Sequence, residues 1–203
     1  MNAVSPDELL RRAQAGDGPA LGELLSVYRN YLLFLASIQI DRRLQGKAGD
    51  SDLVQETYLR AHCHFQQFRG HTEGEFAAWL RGILVGVVAN HVRSYLGTKQ
   101  RDARLERGLA VEIEGVSGIL DRGLVAATNS PSQDAVRHES SLLLAEALQR
   151  LPEDYRRTII LRDFEGLSFA DIATRMGRSV DSVQKLWVRA LAQLRQGLLE
   201  EPT

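Results

Sequence analysis

The sequence predicts an all-α protein made of two small helical domains joined by a linker. Leu, Ala, Arg, Glu and Gln are abundant, while 203 residues include five prolines and 6% aromatics. That mix favours helix over sheet. Apolar residues recur at three- and four-residue spacing through most of the chain, which is the period of a helix with one buried face. Near the end, the stretch from Ser168 to Arg195 reads as two short helices around a tight turn.

Taken in order, Pro6 to Ala15 suits a short helix, broken by Gly16, Asp17 and Gly18. Pro19 fits the first turn of the next helix. Leu21, Leu24, Leu25, Tyr28, Leu32 and Leu35 then predict a single helix continuing to about Ile40, before the run Gly46-Lys-Ala-Gly-Asp-Ser breaks the pattern. From Asp52 to Phe68 the residues Val54, Tyr58, Ala61, Phe65 and Phe68 form a core stripe. The opposite side carries Asp52, Glu56, Leu59, Arg60 and Cys63, so Leu59 stands on what should be the wet face beside two acids. One exposed leucine is ordinary, but in that setting it marks a face suited to docking on another helix.

Arg69 to Glu75 reads as a polar loop, and Phe76 opens an apolar helix through Trp79, Leu80, Ile83, Leu84, Val87 and Val88. Its far end turns polar and basic, with Asn90, His91, Arg93 and Ser94, then Lys99, Arg101 and Arg104. Between Gly108 and Gln133 the glycines at 108, 115, 118 and 123 and the run Asn129-Ser-Pro-Ser predict an irregular, acidic linker. The expected division is 1–104, a linker over 105–133, and 134–203. The second block holds a helix over Asp134–Arg150 and another from Pro152 to about Phe164.

The last stretch carries the clearest local signals. Ser168 caps the first helix with Asp171 three residues on, Gly177 supplies the turn, and Ser179 caps the second helix with Asp181 at its positive end. Val180, Val183, Trp187, Ala190, Leu191 and Leu194 form one face of that second helix; Asp181, Ser182, Lys185, Val188, Arg189 and Ala192 form the other. An outer face that is small, polar and basic suits a major groove. An amphipathic hairpin has the same period, but Ala173, Gly177 and Val183 keep the spacing of a closely crossed helix-turn-helix pair.

Charge and composition bound the function. The net charge is −1, with 13 basic and 11 acidic groups in 1–104, two and five in 105–134, and ten and ten in 135–203. So few surplus cations bind free DNA poorly, which favours a subunit brought to DNA by a larger partner. The start of the chain is acidic and lacks an apolar core, unlike a signal peptide. The oily stretches Tyr31–Ile38 and Ile83–Ala89 are too short to span a bilayer. A lone Cys63 excludes an internal disulfide. The expectation is a soluble, cytoplasmic protein without membrane insertion.

The order of motifs is recognisable. Asp52-Leu-Val-Gln-Glu-Thr-Tyr, then Phe76-x2-Trp-Leu-Arg-Gly-Ile, then after a linker Leu151-Pro-x2-Tyr-Arg and the helix-turn-helix, resemble the extracytoplasmic-function group of bacterial sigma-70-type RNA polymerase sigma factors. The likeness covers nearly the whole chain. It implies that Asp52, Gln55 and Glu56 dock on the clamp helices of the largest core RNA polymerase subunit, in keeping with the acidic, Leu59-bearing face. It implies that the helix from Phe76 and the loop before it open the −10 element of promoter DNA, with Arg69, His71 and Thr72 holding an extruded base and Asn90 and Arg93 facing DNA. Trp79 matches a family tryptophan and is assigned to the core. The −35 element falls to Arg178, Ser179, Ser182, Lys185 and Arg189. The family commonly uses an anti-sigma factor as a further partner. The sequence departs from many members at Gly86, where asparagine is usual, and at Leu186, where a basic residue is usual; the second lowers the charge of the recognition helix.

Two other classes compete. The run His62-Cys63-His64, with His71 near, invites a metal and hence a metal-dependent helical hydrolase. Successive helical residues point about 100° apart, so adjacent histidines do not share an ion easily. Asp163 and Glu165 read better as the end of a helix before Gly166 than as paired catalytic acids. There is no phosphate loop, nucleophile elbow or His-Glu-x-x-His pattern. No cofactor, metal site or catalytic residue is therefore expected. A conventional helix-turn-helix regulator with an N-terminal sensor domain is the nearer rival, but it has no need of the Asp52–Tyr58 motif.

Overall fold

The structure, a computed structural model, describes residues 4–40, 49–96, 103–123 and 134–199. The break over 46–48, Lys99, Arg101 and the linker residues 124–133 lie outside the described residues. Among the described residues ten α-helices follow one another: α1 Pro6–Gln14, α2 Gly18–Val27, α3 Arg29–Gln39, α4 Asp50–His64, α5 Glu73–Leu96, α6 Ala103–Arg122, α7 Asp134–Arg150, α8 Glu153–Ile159, α9 Phe169–Met176 and α10 Val180–Leu199. A 3-10 turn, Phe65–Gln67, extends α4, and a π-helical turn, Ile160–Phe164, extends α8. The all-α expectation holds.

Local chemistry explains the starts. Ser5 Oγ accepts from Glu8 N at 3.3 Å to cap α1, and Asp17 accepts from Ala20 N at 3.2 Å to cap α2. Asp17 is held in place by Arg12, which donates to it at 2.6 and 2.9 Å. Both caps satisfy N–H groups that a first turn leaves without partners. The single helix expected from Leu21 to Ile40 is instead two, because the chain bends at Tyr28 (φ −84°, ψ 0°). That bend turns the Tyr28 ring into the core, edge-on to Phe76 at 5.3 Å. Helical spacing survives across it, so the period alone does not reveal the break.

Helix α5 is the axis of the first half. Phe76, Ala77, Leu80, Leu84, Val87, Val88 and Ala89 are fully buried along it. At its start Phe65, Phe68, Phe76 and Trp79 pack ring to ring, with centroids 5.2–6.3 Å apart. Aromatic pairs in such tilted arrangements add about 0.5–1.5 kcal/mol each beyond burial. Trp79 is half-buried in this cluster, so its expected place in the core is its observed one.

The stretch from Gly108, expected as irregular linker, is corrected by the structure: it is helical as far as Arg122. Leu109, Ile113, Val116 and Leu120 fall on one face and are buried. Gly108 and Gly115 have nothing within 4 Å of where a Cβ would stand, so they weaken the helix by about 1 kcal/mol each relative to Ala without breaking it. Helix α6 lies along α5, and α7 packs on α3, α5 and α6. Phe34 of α3 meets Phe164 of the π turn edge-on at 4.9 Å. One core therefore runs from Leu9 to Leu194, and a satellite core of Leu161, Ile172, Ala173 and Val183 lies inside the helix-turn-helix.

Candidate nucleic-acid interface

The helix-turn-helix forms as its sequence dictates. Ser168 Oγ accepts from Asp171 N at 3.2 Å and donates to Asp171 Oδ2 at 2.5 Å. Gly177 takes a left-handed conformation (φ 64°, ψ 35°), and Arg178 N donates back to Ala173 O at 2.9 Å. This closure ends α9 and is cheap only for glycine. Ser179 Oγ accepts from Ser182 N at 3.2 Å, capping α10. Val183, Ala190 and Leu194 face inward, and Trp187 and Leu191 are half-buried. Val180, expected on the buried face, is 42% exposed, at the first residue of α10.

Trp187 does more than pack. Its Nε1 donates to Asp163 Oδ2 at 2.9 Å, and its ring meets Phe169 edge-on at 5.7 Å. The Arg162 guanidinium lies 4.5 Å from the centroid of the Phe169 ring, while Arg162 donates to Leu167 O at 2.8 Å. These contacts clamp α10 to the π turn and fix the direction of its outer face. Burial pushes the Asp163 carboxyl above its ordinary range, against the opposing pull of the Trp187 N–H and the Arg162 cation.

The outer face of α10 is exposed at Lys185, Val188 and Arg189, with Ser182 half-exposed. Lys185 Nζ lies 2.7 Å from Asp181, and Arg178 pairs with Asp154 of α8. Exposed pairs of this kind are worth about 0–1 kcal/mol, so a phosphate displaces them easily. Ser179 is committed to its cap.

In the first half, the loop before α5 is held firmly. Thr72 and Glu75 form a capping box: Glu75 N donates to Thr72 Oγ1 at 3.3 Å, and Glu75 Oε2 accepts from Thr72 N and Oγ1 at 3.1 Å and from His71 N at 2.8 Å. Those donors hold the Glu75 carboxyl below its ordinary range. Helix α5 thus starts at Glu73 rather than Phe76, and Thr72 serves as its cap. Gln14 of α1 donates to Gly70 O at 2.7 Å, and a Cβ at Gly70 would lie 2.5 Å from the Phe68 ring. Arg69 and His71 remain exposed on this loop.

Along α5 the exposed positions Ala78, Gly82 and Asn90 recur every four or eight residues, with Gly86 half-buried between. Arg93, expected to face DNA, instead donates to Glu106 of α6 at 3.0 Å. On α4, Leu59 is 68% exposed, and Asp52 and Gln55 are exposed on the same helix. Glu56 is less free: it accepts from Arg60 at 2.5 Å and lies 2.8 Å from His91 Nε2 of α5. Sequence reasoning missed the pairings of His91 with Glu56, Asp163 with Trp187 and Glu106 with Arg93, which join different helices. It also missed the Thr72–Glu75 box, whose spacing was readable. Among the described residues, no group of three or more His, Cys, Asp or Glu could hold a metal ion, and no helix is long and apolar enough to cross a membrane.

A family model described as "Sigma-70, region 4" matches residues 141–194. Over 183 residues the chain is 31% identical to the RNA polymerase sigma-H factor of Pseudomonas aeruginosa, covering 90% of this chain and 88% of that one. It is 31% identical over 188 residues to the ECF RNA polymerase sigma-E factor of Haemophilus influenzae, covering 92% of each. The chain belongs to the extracytoplasmic-function sigma factors. A chain of the solved RsbN–BldN complex is also similar, at 25% identity and a TM-score of 0.33, over 92% of this chain and 97% of that one. As a sigma factor it directs RNA polymerase to promoters. These relatives favour neither a ligand-sensing regulator nor a metal-dependent hydrolase.

Proposed function

We propose that this sigma factor grips core polymerase through the outer face of α4, with Asp52, Gln55, Glu56 and Leu59 against the clamp helices of the largest subunit. Helix α5 and its preceding loop open the −10 element, with Arg69 and His71 beside an extruded base, Thr72 shaping the loop, and Asn90 and Arg93 toward the strand. Helix α10 reads the −35 element through Ser182, Lys185 and Arg189, and the Arg178–Ser179 turn approaches the backbone. The working units are 1–104 and 134–203, with 105–133 between them. The protein acts in the cytoplasm and without catalysis of its own, and an anti-sigma factor restrains it.

The observation that carries this reading is the exposed Leu59 one and two turns beyond the acids Glu56 and Asp52 on α4. A large apolar side chain held in water beside Asp52 and Gln55, on a helix whose other side is fully packed, fits a partner helix better than solvent. Asp52→Lys with Leu59→Ala tests it most cleanly, because neither residue holds the fold. Affinity for core polymerase should fall by about tenfold or more, as removal of a central anchor does. Glu56 is left intact since it also bonds His91 and Arg60. Unchanged affinity would remove α4 from the interface.

A further inference from the structure

Acids of α6 cover two arginines of α5. Arg93 Nη1 lies 3.0 Å from Glu106 Oε1, the two side chains 18% and 24% exposed. Arg81 grips both oxygens of Glu114, at 2.9 and 3.2 Å. Its third donor reaches the Tyr31 hydroxyl at 3.0 Å, and that hydroxyl donates to Ser117 Oγ at 3.0 Å. The pairs run in opposite order along the two helices, so α6 lies antiparallel to α5. It presents carboxylates to guanidinium groups, as a nucleic-acid backbone presents phosphates.

Size adds an independent constraint. Helices of both halves, α1 to α8 and α10, share one core to which α6 and α7 belong, while α9 contributes to the satellite core. A folded body of 203 residues has a radius of gyration of about 17 Å, or roughly 43 Å across. Promoter boxes named −10 and −35 lie about 25 base pairs apart, or about 85 Å at 3.4 Å per step. The closed body does not reach both.

We propose that α6 is a self-masking helix: in the free chain its acids occupy the Arg93 side of the promoter-opening helix and its apolar face seats α7, and loading on core polymerase peels it away. This rests on the reading of α5 as the −10 helix. The mask is built for release. Its ion pairs lie at the edge of the contact, where solvent competes, and its outer face carries Gly108 and Gly115, which cost helix stability once packing is lost.

Hydrogen exchange on the full chain, free and bound to core polymerase, is the decisive measurement. Peptides over 103–122 should be protected in the free chain and exchange about tenfold or more faster in the complex, while those over α4 slow. If the chain binds core and 103–122 stays protected, the masking helix is overturned. If it does not bind core, the proposed function itself fails. A second arm uses Glu106→Gln, a near-isosteric change that removes the charge and spares the apolar core. A fluorescein-labelled, mixed-sequence single-stranded 20-mer at low salt should bind this variant about three- to tenfold tighter than the wild-type chain, and adding Arg93→Gln should cancel the gain. Equal binding by wild type and Glu106→Gln also overturns it.

Discussion

Asp163 shows how a side chain far from the outer face of the recognition helix bears on it. Its carboxylate anchors Trp187 at 2.9 Å, yet burial raises its proton affinity, outweighing the Trp187 N–H and Arg162. The folded chain then binds this proton more readily than the unfolded chain. The sign follows: this group favours folding most at low pH, and its contribution is lost as pH rises through the unfolded-state value to the raised folded one. Asp163→Asn keeps an oxygen to accept from Trp187 and removes the charge. Its thermal midpoint should exceed that of wild type at pH 7, and the difference should shrink as pH is lowered toward 4. A variant less stable than wild type at pH 7 would mean that the charge itself, through Arg162, holds the turn.

At the scale of the element, legibility depended on where a helix finds its partners. Helices α9 and α10 were readable because caps, turn glycine and most of the apolar face are local; the structure forms the caps at Ser168 and Ser179 and the turn at Gly177. Helix α6 was misread because its glycines weigh as breakers, whereas Leu109, Ile113, Val116 and Leu120 keep helical spacing and are buried in a helix packed on α5 and α7. Tertiary packing overrode propensity there. The site was legible as a set of faces and less so as individual roles, since Arg93, Glu56 and Arg178 are tied to acids or bases distant in sequence. For α10 the roles separate experimentally. Arg189→Ala or Lys185→Ala should weaken −35-dependent initiation by the holoenzyme, by about 1–3 kcal/mol where the contact is to a base edge. The loss then falls on some promoter sequences and spares others. A uniform loss across promoters, with a shallower salt dependence, assigns the residue to phosphate positioning.

For the whole molecule the decisive quantity is how many phosphates the free chain neutralises. A net charge of −1 leaves no long-range pull, and several cations of both faces are already engaged: Arg93 by Glu106, Arg178 by Asp154, Lys185 by Asp181 and Arg175 by Glu165. With about three phosphates or fewer contacted, log affinity should fall with log salt at a slope no steeper than about −3, and duplex promoter DNA should bind the free chain in the non-specific range of about 10⁻⁴–10⁻⁶ M. On core polymerase the same DNA should bind at about 10⁻⁸ M or tighter, because the enzyme adds its own contacts and holds the two reading units apart. Fluorescence anisotropy with a promoter duplex at 50 and 200 mM salt, with and without core, measures both. Tight, sequence-selective binding by the free chain would contradict this, since it would mean that α10 selects promoters without the polymerase to position it.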